Sequence, residues 1–143
     1  YIIHCFNCFW RKPIYGLATH INKKCESCNS EVSIAGPLWL GSLWDREFCK
    51  LMLREAYRKS MRNKSKVIKL IETILAEVEG PPTYYVIDRI CDKFRLKTPQ
   101  TRSVIEKLWE MGFFASQTHF NTRGVRTSAP TKTVLEVISS LIM

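Results

Sequence analysis

Cys5-Phe6-Asn7-Cys8 and, sixteen residues further on, Cys25-Glu26-Ser27-Cys28 decide how the N-terminal third of this chain reads. Two residues between cysteines let a tight turn aim both sulfurs at one point, and two such turns supply the four thiolates of a tetrahedral zinc. The spacer lies in the range of zinc ribbons. A segment this short has little core of its own, so the metal would supply much of its folding free energy. Four protein ligands leave no position for a reacting water, which makes the expected zinc structural. A disulfide pair and a redox-active Cys-x-x-Cys are the rivals. His4 and His20 lie close enough in sequence to stand in as ligands. Cys49 and Cys91 have no partner motif and read as small buried hydrophobes. This cysteine usage points to a reducing, cytoplasmic compartment.

Outward from the cysteines, Tyr1-Ile2-Ile3-His4 and Glu31-Val32-Ser33-Ile34-Ala35 are β-prone. Gly36-Pro37 breaks the pattern, and the aromatic-rich Leu38-Trp39-Leu40-Gly41-Ser42-Leu43-Trp44 follows. Ser42 with Asp45 resembles a helix-start box. The spacing predicts a helix over 44–59 with Trp44, Phe48, Leu51, Met52 and Ala56 inward, and a second over 64–79 with Val67, Ile68, Leu70, Ile71, Ile74, Leu75 and Val78 inward. Gly80-Pro81-Pro82 ends it.

The remainder has the element order of a winged helix. A third helix is expected over 84–95, with Val86, Ile87, Ile90 and Phe94 inward. Thr98 as cap and Pro99 at the first helical position would start a fourth over 99–111. That helix buries Val104, Ile105, Leu108 and Met111, and Gly112 stops it. A hairpin over 113–128 is expected to bend near Asn121-Thr122-Arg123-Gly124. Pro130 opens a last helix whose apolar face (Val134, Leu135, Val137, Ile138, Leu141, Ile142) must pack on the protein or on an absent domain. The expected fold class is α+β: a four-cysteine zinc ribbon over 1–43, then a mainly helical, winged-helix-like domain over 44–143.

Charge then suggests a partner. The chain of 143 residues carries 22 Lys and Arg against 13 Asp and Glu, a formal net charge of +9. A surplus of that size favours polyanions. Arg58, Lys59, Arg62, Lys64, Lys66 and Lys69 run without an acid among residues 58–69. In a winged helix the fourth helix would offer Gln100, Arg102, Ser103 and Lys107, and the wing His119, Arg123 and Arg126. The candidate RNA contacts are therefore Arg58, Arg62, Lys64, Lys66, Lys97, Arg102, Lys107, His119, Arg123 and Arg126. Trp39 and Trp44 sit among leucines and read as packing, while Trp10 and Tyr15 lie in the ribbon loop, where exposure is expected.

No carboxylate pair looks catalytic, nothing orients His119 as a base, and the six glycines are scattered. No alternation of strands and helices suggests a dinucleotide-type domain. Taken alone, the chain does not read as an enzyme. Its apolar runs are too short to span a bilayer, and its first residues lack the charged n-region and cleavage site of a signal peptide. The absence of an initiating methionine suggests a fragment.

Two stretches are familiar. Gly36-Pro37-Leu38-Trp39-Leu40-Gly41-Ser42-Leu43-Trp44-Asp45 and Thr118-His119-Phe120-Asn121-Thr122-Arg123-Gly124-Val125-Arg126-Thr127-Ser128-Ala129-Pro130 resemble the C-terminal region of the tRNA (guanine-26-N2)-dimethyltransferase family. There a cysteine-pair segment leads into a Gly-Pro-Leu-Trp-x-Gly motif. A Thr-His-Phe stretch and a Gly-hydrophobic-basic-Thr element ending on Ala-Pro come later. Gln117 and Ser128 depart from the family's usual Arg and Asn or Asp. The resemblance implies a two-domain enzyme. A missing N-terminal methyltransferase domain would bind S-adenosylmethionine and methylate the exocyclic amine of a tRNA guanine. The present part would hold the tRNA. No catalytic residue carries over. The competing readings from the residues are a zinc-ribbon and winged-helix DNA-binding regulator, or a protein-interaction module.

Overall fold

The computed structural model describes residues 1–17 and 21–142. The N-terminal part is a small sheet made by three segments: β1 (Ile2–His4), β2 (Arg11–Pro13) and β3 (Ser33–Ala35). β1 lies in the middle and pairs antiparallel with both neighbours, Ile3 facing Lys12 on one side and Ile34 on the other. The returning strand is thus shorter than the predicted 31–35, because Glu31 instead bridges back to Lys24.

Two helices follow, α1 (Arg46–Arg58) and α2 (Lys64–Glu77). Asp45 is the N-cap of α1, its carboxylate accepting from Phe48 N at 2.7 Å. Such a cap contributes about 1 kcal/mol. The predicted Ser42 box does not form. The Ser42 hydroxyl turns back and donates to Trp44 O at 2.6 Å.

The inward face of α1 also differs from expectation. Cys49, Leu53 and Ala56, spaced four and three residues apart, pack against Val67, Ile68, Ile71, Ile74 and Leu75 of α2. Phe48, Leu51 and Met52 stay 45–60% exposed. The helix carries two apolar stripes, and α2 is wide enough to cover one. Leu70 of α2 is exposed for the same reason.

The second core lies under β4 (Tyr85–Val86), α3 (Ile87–Phe94), α4 (Thr101–Glu110), β5 (Ala115–Thr118), β6 (Asn121–Thr127) and α5 (Thr131–Ser140). Ile87, Ile90, Cys91, Val104, Leu108, Val125, Val134, Val137 and Ile138 are almost entirely inaccessible there. Burying each large aliphatic side chain is worth about 2 kcal/mol. Phe94 and Met111, expected inside, are 42% and 47% exposed because each sits at the end of its helix beyond the packed turns. Helix α4 begins two residues later than Pro99, with Gln100 at the N-cap and no side-chain cap, so Thr98 does not cap it. Gly112 ends the helical segment at φ +82°, where a Cβ would be strained.

The hairpin turns earlier than predicted. β5 and β6 are joined by His119 and Phe120 alone, so Asn121-Thr122-Arg123-Gly124 is strand. A register shift between Gln117, which faces Val125, and Thr118, which faces Asn121, leaves Thr122-Arg123-Gly124 as a three-residue excess on β6. Gly124 fits because a Cβ there would stand 2.5 Å from Thr118 Cγ2. With β4 this forms a second antiparallel sheet, ordered β4-β6-β5. The last helix buries Val134, Val137 and Ile138 in this same core. Of the two expected alternatives for its apolar face, packing on the protein itself is the one the structure shows for these residues, while Leu141 stays 36% exposed. Among the described residues no helix is long and apolar enough to cross a membrane.

Candidate metal centre and nucleic-acid interface

Both cysteine pairs sit on the same backbone device. Phe9 N donates to Cys5 O at 2.9 Å and Cys5 N to Trp10 O at 2.8 Å. Asn29 N donates to Cys25 O at 3.0 Å and Cys25 N to Ser30 O at 2.8 Å. Each knuckle closes with a left-handed residue four positions after its first cysteine, Phe9 at φ 62° and Asn29 at φ 58°. The repeated offset is visible in the sequence. Asparagine hints at the left-handed turn, whereas phenylalanine hides it.

The knuckles bring all four Sγ atoms within 4.8 Å of one another. Cys5 Sγ and Cys28 Sγ are 3.5 Å apart, Cys8 Sγ and Cys25 Sγ 3.6 Å. A tetrahedral ion with bonds of about 2.3 Å needs sulfur separations of about 3.8 Å, so the donor set fits such a cation. A disulfide needs about 2.05 Å, and all six cysteines are free thiols. The surroundings tune the sulfurs. The Ser30 hydroxyl and backbone N–H, with the Asn7 amide, hold the Cys28 thiol down at about 5. Burial pushes the Cys8 thiol up to about 12. Ser27 N also donates to Cys25 Sγ at 3.4 Å. His4 packs edge-on against Phe6, 4.5 Å between ring centroids, rather than joining the sulfurs. His20 lies outside the described residues.

The knuckle is seated on the second core. Phe9 joins that core and meets Phe94 at 6.2 Å between centroids. Arg11 lays its guanidinium over the Tyr85 ring at 3.7 Å and donates to Tyr84 O. Thr131 Oγ1, bonded to Tyr85 OH at 2.8 Å, reaches Phe9 O at 3.4 Å.

The predicted basic residues divide into three groups. Arg123 and Arg126 are structural. Arg123 donates to Asp88 Oδ1 at 2.9 Å, Thr101 Oγ1 at 3.1 Å and Pro99 O at 3.0 Å, pinning β6 to the α3–α4 junction. Arg126 is buried. Its Nε lies 3.0 Å from Glu77 Oε2, an ion pair outside hydrogen-bond angles, and its Nη1 donates to Pro81 O at 3.1 Å. His119 is turned inward, its Nδ1 against Glu77 Oε1, with Trp44 edge-on at 5.1 Å. Neither His119 nor Arg126 is placed as the surface contact expected of a wing, because Glu77 of α2 draws both inside. Glu77, at the end of α2, carries no local sequence signal of this pairing.

A second group is compensated locally. Arg102 pairs with Glu106 at 2.7 Å, Lys107 with Glu110 at 2.8 Å and Arg58 with Glu55 at 3.0 Å, all solvent-exposed. Lys64 Nζ donates to Tyr57 O at 2.6 Å. In the third group, Arg62, Lys66 and Lys97 are exposed, and among the described residues no acid pairs with them within 4 Å. Arg54, Lys59 and Lys69 share that condition and line the same α1–α2 region. A run of uncompensated charge therefore lies at the α1–α2 junction, whereas α4 and the hairpin have their cations paired or engaged in the fold.

Both sheets are antiparallel. The described residues contain no parallel strand-helix-strand unit of the kind that cradles a nucleotide cofactor.

A solved structure of Trm1 from Pyrococcus horikoshii, in complex with S-adenosyl-L-methionine, matches 96% of this chain and 34% of its own, with a TM-score of 0.79 at 29% identity. The model of the N2,N2-dimethylguanosine tRNA methyltransferase family matches residues 1–139. The chain belongs to that family. The tRNA (guanine(26)-N(2))-dimethyltransferases of Methanosphaera stadtmanae and Methanosarcina mazei are 36% and 38% identical to it, over 96% and 99% of this chain. The chain spans 35% and 36% of the lengths of those two relatives.

Proposed function

We propose that this chain is the tRNA-holding, C-terminal part of a cytoplasmic tRNA (guanine-26-N2)-dimethyltransferase. Its ribbon (1–43) holds a structural zinc, and 44–143 acts as a winged-helix-like RNA platform. The observation that carries this is the acid-free cationic stretch at the α1–α2 junction, within a chain that belongs to a tRNA-modifying family. S-adenosylmethionine supplies the methyl group in a domain outside these residues. This part binds the folded RNA by shape and backbone, which leaves base chemistry to its partner. Four free thiols suit a reducing compartment.

Reversing Arg62, Lys66 and Lys69 to glutamate tests the platform. Binding to a tRNA transcript should weaken on the order of a hundredfold at low salt, and the slope of log affinity on log salt should flatten by about two. Unchanged affinity and slope would refute the assignment to this surface. Duplex DNA of matched length should bind more weakly than tRNA at every salt concentration. Equal or tighter binding to DNA favours a DNA-binding regulator instead.

The partner domain needs a contact, and α5 does not provide one. The uncovered stripe Phe48, Leu51 and Met52 suits it. Amide exchange across α1 should slow in a longer protein that includes the methyltransferase domain. Identical exchange in both proteins rules this contact out.

A further inference from the structure

Between the first cysteine knuckle and α3 lies a cleft of about 170 Å³ that none of the preceding roles uses. Its walls include His4, Phe6, Phe9, Tyr84, Arg11 and Arg89. We propose that this cleft receives one unstacked nucleobase of single-stranded RNA, with the neighbouring phosphates running along α3; the inference rests on the tRNA reading and adds a second contact to it.

The lining carries the argument. Four of its nine lining residues, His4, Phe6, Phe9 and Tyr84, carry rings, and flat apolar walls suit a flat ligand. Phe6 stands at the edge, 63% exposed, which is a poor position for a core residue and a good one for a stacking platform. Its tilt against His4, 74° between planes, leaves its outer face uncovered by that ring. Phe9 and Arg11 are held from behind, Phe9 by the second core and Arg11 over Tyr85 at 3.7 Å. The site is therefore formed by the docking of ribbon on core and does not need to be built by the ligand. Guanidinium planes stack on bases as well as rings do.

Charge narrows the ligand class. Two arginines and no acid line the cleft, which disfavours a basic or purely apolar peptide. Arg89 is exposed, and among the described residues it has no ion-pair partner within 4 Å. Lys93, one turn further along α3, lies on the same face, and the exposed Arg95 and Lys97 follow. A base in the cleft would have its backbone beside this row. A free phosphate alone would not need the rings.

The test uses the 143-residue chain, a ten-nucleotide oligo-uridine RNA and an RNA duplex of equal length. Phe6→Ala should weaken oligo-uridine binding about tenfold with an unchanged salt slope, since a stacking contact and no phosphate contact is lost. Arg89→Glu should weaken it and flatten the slope by about one. Duplex binding should respond to Arg89→Glu only. An oligonucleotide carrying 5-iodouridine should cross-link to Phe6, Phe9 or Tyr84 in the unsubstituted protein, a readout that needs no variant. Oligo-uridine binding indifferent to both substitutions, or cross-links confined to other residues, overturns the proposal. If the cleft responds as expected while a tRNA transcript does not bind, the tRNA reading falls and the cleft stands. If tRNA binds through the α1–α2 surface and the cleft is indifferent, the cleft alone falls.

Discussion

Replacing Glu77 with alanine is expected to destabilise the chain by about 3–5 kcal/mol, a drop of about 10–15 °C in melting temperature. The size comes from what is left behind. Glu77 is wholly buried in the last turn of α2. Its Oε1 accepts from the His119 backbone N at 2.9 Å, and its Oε2 faces Arg126 at 3.0 Å. The Arg126 side chain is 5% exposed. Removing the carboxylate leaves a buried guanidinium with one carbonyl, Pro81 O, as its compensation. It also orphans the His119 N–H at the hairpin turn. The loss is one of partnership, not of volume, so Glu77→Met with Arg126→Met should recover at least half of it. Thermal melts of the two proteins check this. If Glu77→Ala melts within 2 °C of the unsubstituted chain, the triad does not hold α2 to the hairpin.

Replacing Cys25 with serine is expected to abolish metal binding at the proposed four-sulfur site and to cost several kcal/mol, about 10 °C or more in melting temperature. Cys25 is 4% exposed, and its knuckle supplies two of the four sulfurs. The three-stranded sheet around it buries little besides Ile3, so no apolar core substitutes for the ion. The damage should spread, because Phe9 of the other knuckle is part of the second core. Elemental analysis and a melt settle the matter together. A Cys25→Ser protein that keeps one equivalent of zinc and its melting temperature would show that the sulfurs are not a metal centre. Cys49→Ser is the control: its thiol packs between α1 and α2 away from the knuckles, and the metal content should not change.

Much of this is legible in the sequence. The two Cys-x-x-Cys pairs announced a four-sulfur cluster, because two such turns at zinc-ribbon spacing aim four sulfurs at one point. The apolar period of 3.6 located all five helices to within a few residues, and Gly112 and Pro130 marked ends that the backbone respects. The misreadings on α1 share one cause. Phe48, Leu51 and Met52 follow helical spacing as faithfully as Cys49, Leu53 and Ala56 do. Periodicity shows that a stripe exists and not which stripe finds a partner. Turn chemistry points to a hairpin bend at Asn121-Thr122-Arg123-Gly124, which the structure places in strand. Gly124 is needed there for a different reason, the close approach of Thr118.

The charged residues show the division most clearly. Sequence alone determined the surplus of cations, the acid-free run over 58–69 and the identity of the four sulfurs, since composition and short spacings are local properties. It could not separate Arg126 from Arg62. Both are arginines in basic surroundings, and both looked available to a phosphate. Tertiary structure decided between them by bringing Glu77, 49 positions from Arg126, into the same buried space. It likewise seated the ribbon on the second core and so created the aromatic cleft beside α3. Those outcomes depend on contacts between residues far apart in the chain, and no local pattern encodes such contacts.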